Sequence, residues 1–361
     1  MSLQTIDAGA ALARLDQFST VIDARSESEF ALDRIPGAVN WPSLNDAERV
    51  LVGTEYAQVS AFEARKRGAV LVARNVAAHV ERHVLGLPKD WQPLVYCWRG
   101  GQRSGALATV LDQIGFRAHR LEGGYQAFRR AVVAALETLP ATLSYVVVCG
   151  TTGSGKSLLL RALAARGAQV LDLEALANHR GSVLGLVPGS PQPSQKAFDT
   201  ALWDTLRRFD PARRVFVESE SKKVGEVRVA EKLIERMRGA PCIRLELVLE
   251  RRVALLMDEY DFFVRDVDAF CGRLDALRTL RGNALVDAWQ EAARAGRTAE
   301  VVRDLLVSHY DPIYLQSMRR NFAGIASPLQ QIDWDGSPPG LEAAAGAALA
   351  AASLSPCATR R

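Results

Sequence analysis

Short apolar runs alternate with longer mixed stretches along the first third of the chain. Thr20-Val21-Ile22-Asp23, Val70-Leu71-Val72 and Leu94-Val95-Tyr96-Cys97 each read as a strand, and each precedes a polar-apolar segment long enough for a helix. That rhythm predicts a parallel α/β sheet, because parallel neighbours need a long crossover and a helix usually provides it. Residues 131–143, which include Pro140, read as a last helix and a linker. A fresh strand follows at Tyr145-Val146-Val147-Val148-Cys149. Runs at Gln169-Val170-Leu171, Val215-Phe216-Val217 and Cys242-Ile243-Arg244-Leu245-Glu246-Leu247-Val248 continue a second α/β sheet. From about residue 253 to 317 the pattern is mostly helical. The alanine-rich end, 341–361, predicts a weak helix and then a disordered tail. The organisation expected is therefore a first domain over 1–140, a second over 141–325 with a helical extension, and a tail over 326–361.

Composition narrows the class without fixing the chemistry. At 361 residues the chain exceeds one ordinary core, and 48% hydrophobic with 24% charged residues is a globular composition. The first eighteen residues lack a basic start followed by an apolar stretch, and no run approaches the length of a membrane span, so a cytoplasmic location is expected. Five cysteines (Cys97, Cys149, Cys242, Cys271, Cys357) form no CxxC pair and no zinc spacing, which fits a reducing compartment. A net charge of +4, carried mainly by arginine, permits an anionic partner without requiring one.

The first candidate for chemistry is the loop Tyr96-Cys97-Trp98-Arg99-Gly100-Gly101-Gln102-Arg103-Ser104, set between a strand and the helical run 105–114. Two glycines let the backbone curl so that amide N–H groups face the sulfur. The helix start adds its positive end, and Arg99 and Arg103 add full charges, a setting that favours a thiolate or a persulfide-like anion. The alternative is an inert buried cysteine. That reading suits Cys149, Cys242 and Cys271, which sit in or beside apolar runs, better than it suits Cys97.

The second candidate is Gly150-Thr151-Thr152-Gly153-Ser154-Gly155-Lys156-Ser157, which fits the P-loop template G-x-x-x-x-G-K-[ST] between a strand and a helical run. Its glycines (Gly150, Gly153, Gly155), with Ser154, free backbone amides to wrap a diphosphate. Lys156 supplies a point charge, and Ser157 offers a hydroxyl to Mg²⁺. The acidic partner is less regular. Val215-Phe216-Val217 runs into Glu218-Ser219-Glu220-Ser221, so Glu218, Glu220 or Asp172 is the candidate for positioning magnesium or acting as a base; an acidic strand end that only caps a helix is the other reading. Any ligand bearing a diphosphate would satisfy the loop.

Several segments carry a family resemblance. Val21-Ile22-Asp23-Ala24-Arg25-Ser26-Glu27-Ser28-Glu29-Phe30, Arg34-Ile35-Pro36-Gly37-Ala38-Val39-Asn40 and Leu121-Glu122-Gly123-Gly124-Tyr125 resemble the signatures of the rhodanese family over about 11–139, which implies that Asp23 and Arg25 brace the cysteine loop. The insertion 45–89 departs from a minimal rhodanese and is rich in Arg65, Lys66, Arg67, His79 and His83. The fold class implied is α/β: a rhodanese-like parallel-sheet domain followed by a P-loop NTPase-like α/β domain with a helical C-terminal region.

The order of the two loops is similar to that of the tRNA 2-selenouridine synthase family. So are Asp172-Leu173-Glu174-Ala175-Leu176-Ala177-Asn178-His179-Arg180-Gly181-Ser182, Pro193-Ser194-Gln195, Glu218-Ser219-Glu220-Ser221-Lys222-Lys223-Val224-Gly225 and Tyr310-Asp311-Pro312-Ile313-Tyr314. The resemblance implies replacement of the sulfur of wobble 2-thiouridine by selenium. It also implies a two-step route in which geranyl diphosphate alkylates the sulfur, selenophosphate then delivers selenium, and geranylthiol leaves. It assigns the P-loop to the diphosphate and Cys97 to carrying or positioning selenium, with no tightly bound cofactor and magnesium as an open requirement. The tRNA anticodon stem-loop is the expected partner of a monomeric protein, met by a face that combines Arg65, Lys66 and Arg67 with Arg180, Lys222, Lys223, Arg319 and Arg320. The competing classes are a P-loop kinase or NTPase with a sulfur-sensing rhodanese domain, and a non-catalytic chalcogen carrier.

Overall fold

The computed structural model describes residues 3–181, 185 and 189–354. Ser182, Cys357 and the rest of 355–361, all drawn on in the sequence reading, lie outside the described residues. The chain divides into two compact units, Met1–Leu136 with Pro193–Asp204, and Glu137–Gln192 with Thr205–Arg361.

The first unit contains β1 (Gln4–Ile6), α1 (Ala8–Ala13), β2 (Thr20–Asp23), α2 (Glu27–Leu32), β3 (Ala38–Asn40), α3 (Asp46–Gln58), α4 (Ala61–His83), β4 (Pro93–Tyr96), α5 (Gln102–Ile114), β5 (His119–Leu121) and α6 (Gly124–Thr138), the last running just past the boundary. Its five strands pair in parallel in the order β1-β5-β4-β2-β3. Ile22, Val95, Leu107, Leu111 and Phe116 form the buried centre on one side. Cys97 follows β4 directly and so stands at the carboxyl edge of a central strand, where a parallel sheet leaves room for a ligand.

One strand expected from the sequence is absent. Val70-Leu71-Val72 lies inside the 23-residue helix α4. The physical reason is periodicity: Val72, Val76 and Val80 recur every four residues and pack on the core as one helical face, while Val70 is exposed. The insertion is thus a helical hairpin, with α3 started by an Asn45–Glu48 capping box.

The second unit builds β6 (Ser144–Cys149), α7 (Lys156–Ala165), β7 (Gln169–Leu171) and α8 (Leu173–Ala177). The next helix, α9 (Gln195–Leu206), belongs to the first unit as far as Asp204. The chain then returns through β8 (Arg214–Glu218), the two-residue strands β9 (Lys223–Val224) and β10 (Val227–Arg228), α10 (Glu231–Arg238) and β11 (Cys242–Glu246). Short helices α11 (Leu249–Glu259), α12 (Asp261–Arg265), α13 (Val267–Leu274), α14 (Arg278–Arg281), α15 (Asn283–Arg294), α16 (Thr298–Asp304) and α17 (Asp311–Asn321) make the helical extension. It has a small core of its own around Phe270, Leu274, Val286 and Trp289.

The region 326–361, read from sequence as a tail with a weak helix in its alanine-rich part, carries that helix and also an unexpected strand, as far as residue 354. β12 (Gln330–Asp333) pairs in parallel with β11 and completes the sheet order β12-β11-β6-β8-β7. Helix α18 (Pro338–Leu354) buries Ala344, Ala345, Ala348 and Ala352 against Leu159, Leu163 and Ile332. Alanines that look too weak to fold alone serve here as a smooth surface for close packing. Among the described residues, no helix is long and apolar enough to cross a membrane.

Candidate active site

In the first unit the cysteine loop rests on the Gly-Gly element. Gly100 has φ +67°, and a Cβ there would come within 2.5 Å of the Leu121 carbonyl, so only glycine allows the loop to sit so low. The backbone N–H of Tyr125 donates to the Cys97 carbonyl over 2.8 Å, and that of Gln126 to the Trp98 carbonyl. Beneath lies the buried pair Asp23 and Arg25: Arg25 Nη2 reaches Asp23 Oδ2 at 2.6 Å, and its guanidinium covers the Tyr125 ring at 4.0 Å. Cys97 is 3% exposed, and its sulfur accepts a 3.1 Å hydrogen bond from Ser104 Oγ. Arg103 is engaged elsewhere, its Nη1 2.9 Å from Glu29 Oε2, whereas Arg99 is exposed on the loop.

In the second unit the P-loop lines a cavity of about 660 Å³. Gly155 takes φ +88°, and any side chain there would collide with the Trp334 indole. Lys156 Nζ donates to the carbonyls of Gly150 (3.1 Å) and Thr151 (3.3 Å) and lies 4.9 Å from the centre of the Tyr314 ring. Ser157 Oγ donates to Glu174 Oε2 at 3.2 Å.

Glu174, Glu218 and Glu220 converge beside it, with one oxygen of each within 4.8 Å of the others. Pairing of β7 with β8 brings Leu171 opposite Val217, so the residues just beyond both strands meet at one carboxyl edge. Burial, then mutual repulsion, pushes Glu174 up to about 8 and raises Glu218; burial raises Glu220 to about 7 against the pull of Lys156. Burial alone would lower Lys156, but the Tyr314 hydroxyl and the three glutamates outweigh it and raise the ammonium pKa. Glu218 Oε1 is buried without a hydrogen-bond partner. Hard oxygen donors with surplus negative charge beside a P-loop serine suit a divalent cation such as Mg²⁺.

Asp172 stands slightly apart, capping α8 by accepting from the Ala175 N–H at 2.8 Å. The site residues that sequence reasoning left unassigned are Glu174 and Tyr314, although both lie in segments it quoted. Tyr314 donates its hydroxyl to the Ser219 carbonyl at 2.9 Å. Pro312, which follows Asp311, comes where the π-helical turn Leu305–Tyr310 gives way to α17.

The basic residues assigned to RNA fall into three settings. Arg65, Lys66 and Arg67 are exposed on α4, with Lys66 paired to Glu63 and Arg67 to Glu55. Lys222, Lys223, Arg319 and Arg320 are exposed on the second unit, the two lysines beside Glu231 and Glu226. Arg180 instead lines the P-loop cavity, donating to the Glu259 carbonyl at 2.6 Å with its guanidinium 4.6 Å from the centre of the Tyr260 ring.

Comparison with known proteins finds relatives for both parts of the chain. Residues 143–270 match the tRNA 2-selenouridine synthase AAA domain, and residues 7–131 match the rhodanese-like domain. A tRNA 2-selenouridine synthase of Cronobacter sakazakii is 33% identical over 356 residues, covering 89% of this chain and 92% of that protein. This chain belongs to the tRNA 2-selenouridine synthase family. A relative of the same name from Alcanivorax borkumensis is 32% identical over 81% of this chain and 88% of its own length. One from Sulfurovum sp. is 37% identical over 66% of this chain, a match that spans 65% of that protein. The strand β12 and helix α18 lie beyond both domain matches, yet Trp334 between them closes over the P-loop.

Proposed function

We propose that the chain converts wobble 2-thiouridine of tRNA to 2-selenouridine in two steps: S-alkylation by geranyl diphosphate in the P-loop cavity, then displacement by selenium from selenophosphate at the Cys97 site. The observation that carries this reading is the mixed lining of the 660 Å³ cavity. The P-loop, Lys156 and the carboxylates share it with Leu256, Leu280, Ile313, Met318 and Phe322. A prenyl diphosphate combines the same two chemistries, an anion and a branched hydrocarbon. The relatives' shared name, tRNA 2-selenouridine synthase, supports tRNA as the acceptor.

In the first step the thiocarbonyl sulfur attacks C1 of the geranyl group, the bond from C1 to the diphosphate oxygen breaks, and the N3 proton of the base is lost. Lys156 and the loop amides stabilise the charge that develops on the departing diphosphate, an effect worth a few kcal/mol per well-placed donor. Ser157 with Glu174, Glu218 and Glu220 would hold Mg²⁺, whose contribution is to neutralise that diphosphate. The apolar residues of the lining would pack against the geranyl chain. In the second step selenium attacks C2, geranylthiol leaves with a proton, and water releases phosphate from the selenium donor. S-alkylation makes this displacement feasible, because a thiol leaves C2 more readily than sulfide does. The role assigned to Cys97, with Arg99 and Arg103 in its loop, is to hold the chalcogen donor against that carbon.

Mass analysis of nucleosides tests both halves. Lys156→Ala should lose geranylation, while Cys97→Ser should keep it and lose selenouridine. Unchanged geranylation in Lys156→Ala, together with ATP hydrolysis by the wild-type protein alone, would instead support a P-loop NTPase.

A further inference from the structure

The cysteine loop carries less free positive charge than its sequence suggests. Of its two arginines, Arg103 is held by Glu29, which also receives Arg49 at 3.2 Å. The first unit nevertheless acquires another cation from a distant part of the chain. Helix α9, encoded between β7 and β8 of the P-loop sheet, packs on the first unit and brings Lys196 to the loop: its Nζ is 5.9 Å from the centre of the Trp98 ring, and Trp98 is the residue after Cys97.

The placement of α9 is specified from several sides. Ser194 Oγ donates to the Leu32 carbonyl at 2.7 Å. Arg129 fixes the register with three bonds: Nη1 to the Lys196 carbonyl (3.0 Å) and to Thr200 Oγ1 (3.1 Å), and Nη2 to Asp199 Oδ2 (2.9 Å). Thr200 in turn donates to the buried Asp33, which also accepts from Tyr125 at 2.6 Å. Phe198, Leu202 and Trp203 are buried, and Trp203 meets Phe128 edge to face. Tyr125 closes the circuit, since its ring stacks on Trp98 and its N–H holds the Cys97 carbonyl. Lys196 itself is exposed, so its ammonium is anchored at the backbone and movable at the tip.

We propose that Lys196 is a ligand-binding residue of the cysteine site, supplying with Arg99 the charge that holds the phosphate moiety of a chalcogen-phosphate donor over Cys97. This deepens the second step proposed above and rests on it for the identity of the donor. A cysteine only 3% exposed suits a small tetrahedral anion. An ammonium on a flexible stem is a point charge suited to an oxyanion of variable position. On this reading the first 136 residues alone make an incomplete donor site, because its second cation arrives from within the P-loop half of the sequence.

The test uses the full chain and reads Cys97 directly. Its alkylation by iodoacetamide, followed by peptide mass analysis and scaled to that of a free cysteine peptide in the same tube because thiophosphate also consumes the reagent, is measured against rising thiophosphate, a stand-in for selenophosphate. Lys196→Ala should need about ten-fold more thiophosphate for half-protection, as expected when one charge-assisted hydrogen bond is removed, and Lys196→Arg should stay close to wild type. In turnover, Lys196→Ala should raise KM for selenophosphate with little change in kcat and leave geranylation intact. Equal protection in wild type and Lys196→Ala overturns the assignment. So does protection that depends on Lys196 with an anticodon stem-loop RNA but not with thiophosphate, which would give the cation to the RNA backbone. If thiophosphate protection depends on Lys196 but the wild type forms no selenouridine, the anion site stands and the proposed second step fails.

Discussion

Trp334 donates its indole N–H to the backbone carbonyl of Ser154 over 2.9 Å, so a residue 180 positions downstream holds the middle of the P-loop. The same ring occupies the space that a side chain at residue 155 would need. Trp334→Phe keeps most of the packing and removes the donor, leaving the Ser154 carbonyl unsatisfied at a cost of about 1–3 kcal/mol. Tm should fall by about 2–4 °C per kcal/mol for a unit of this size. Affinity for inorganic diphosphate, measured by calorimetry, should weaken in parallel. A variant with wild-type Tm and diphosphate affinity would show that β12 and its following tryptophan are incidental to the loop.

The three-glutamate cluster gives a pH dependence with a definite sign. Glu174 and Glu220, raised to about 8 and about 7 from an ordinary 4.5, keep protons in the native state that the unfolded chain has already released. Stability therefore falls as pH rises through that window and levels off above it. His179 and His309, lowered by burial, act in the opposite sense below about pH 6.5, so the informative range is pH 7 to 9. In EDTA, wild-type Tm should decline across that range, and Glu220→Gln should decline less. Millimolar magnesium should flatten the wild-type curve. Parallel curves with and without magnesium would remove the cation from this site.

Arg252 joins the helical extension to the P-loop through bonds to three acceptors. Its Nη1 and Nη2 grip Asp311 at 2.9 and 2.6 Å, and its Nε donates to the Thr152 carbonyl at 2.9 Å. Arg252 is 6% exposed, so Asp311→Ala strands a buried guanidinium and should cost on the order of 3 kcal/mol. The paired change Arg252→Met with Asp311→Leu should recover part of that loss. Chemical denaturation of the single and double variants measures both. A single variant as stable as wild type would mean that the pair does not brace the loop.

What the sequence disclosed follows from how local each signal is. The P-loop and the cysteine loop are continuous motifs set between a strand and a helix, so spacing alone located them. Glu174 meets Glu218 only through the register of β7 on β8, which no linear pattern displays. Val70-Leu71-Val72 is three apolar residues in a row whether it stands in a strand or on a helix; the four-residue recurrence through Val80 distinguishes the two. Gln330–Asp333 has too few apolar residues to announce a strand, and it becomes one because β11 offers an open parallel edge. Lys196 was beyond reach for a topological reason, since α9 lies between two strands of one unit and packs on the other.

The proposed RNA-binding surface of the second unit can be tested on Lys222 and Lys223, which are exposed and sit 3.6 and 3.5 Å from Glu231 and Glu226. Surface ion pairs of this kind contribute little to stability, so reversing both charges should leave Tm nearly unchanged. A lysine that neutralises a phosphate behaves differently, because it releases condensed counterions when the pair forms. If both lysines meet phosphates of the anticodon stem-loop, Lys222→Glu with Lys223→Glu should weaken binding. It should also reduce the slope of log K against log salt by about 0.7–0.9 for each phosphate no longer neutralised. Fluorescence anisotropy across a salt series gives affinity and slope together. The same measurement on Arg319→Glu with Arg320→Glu separates a weaker overall positive field, which lowers affinity with little change in slope, from the removal of direct phosphate pairing, which lowers both. Unchanged affinity and slope in the lysine variant would place the RNA elsewhere, and the exposed Arg65, Lys66 and Arg67 of α4 would then be the next set to reverse.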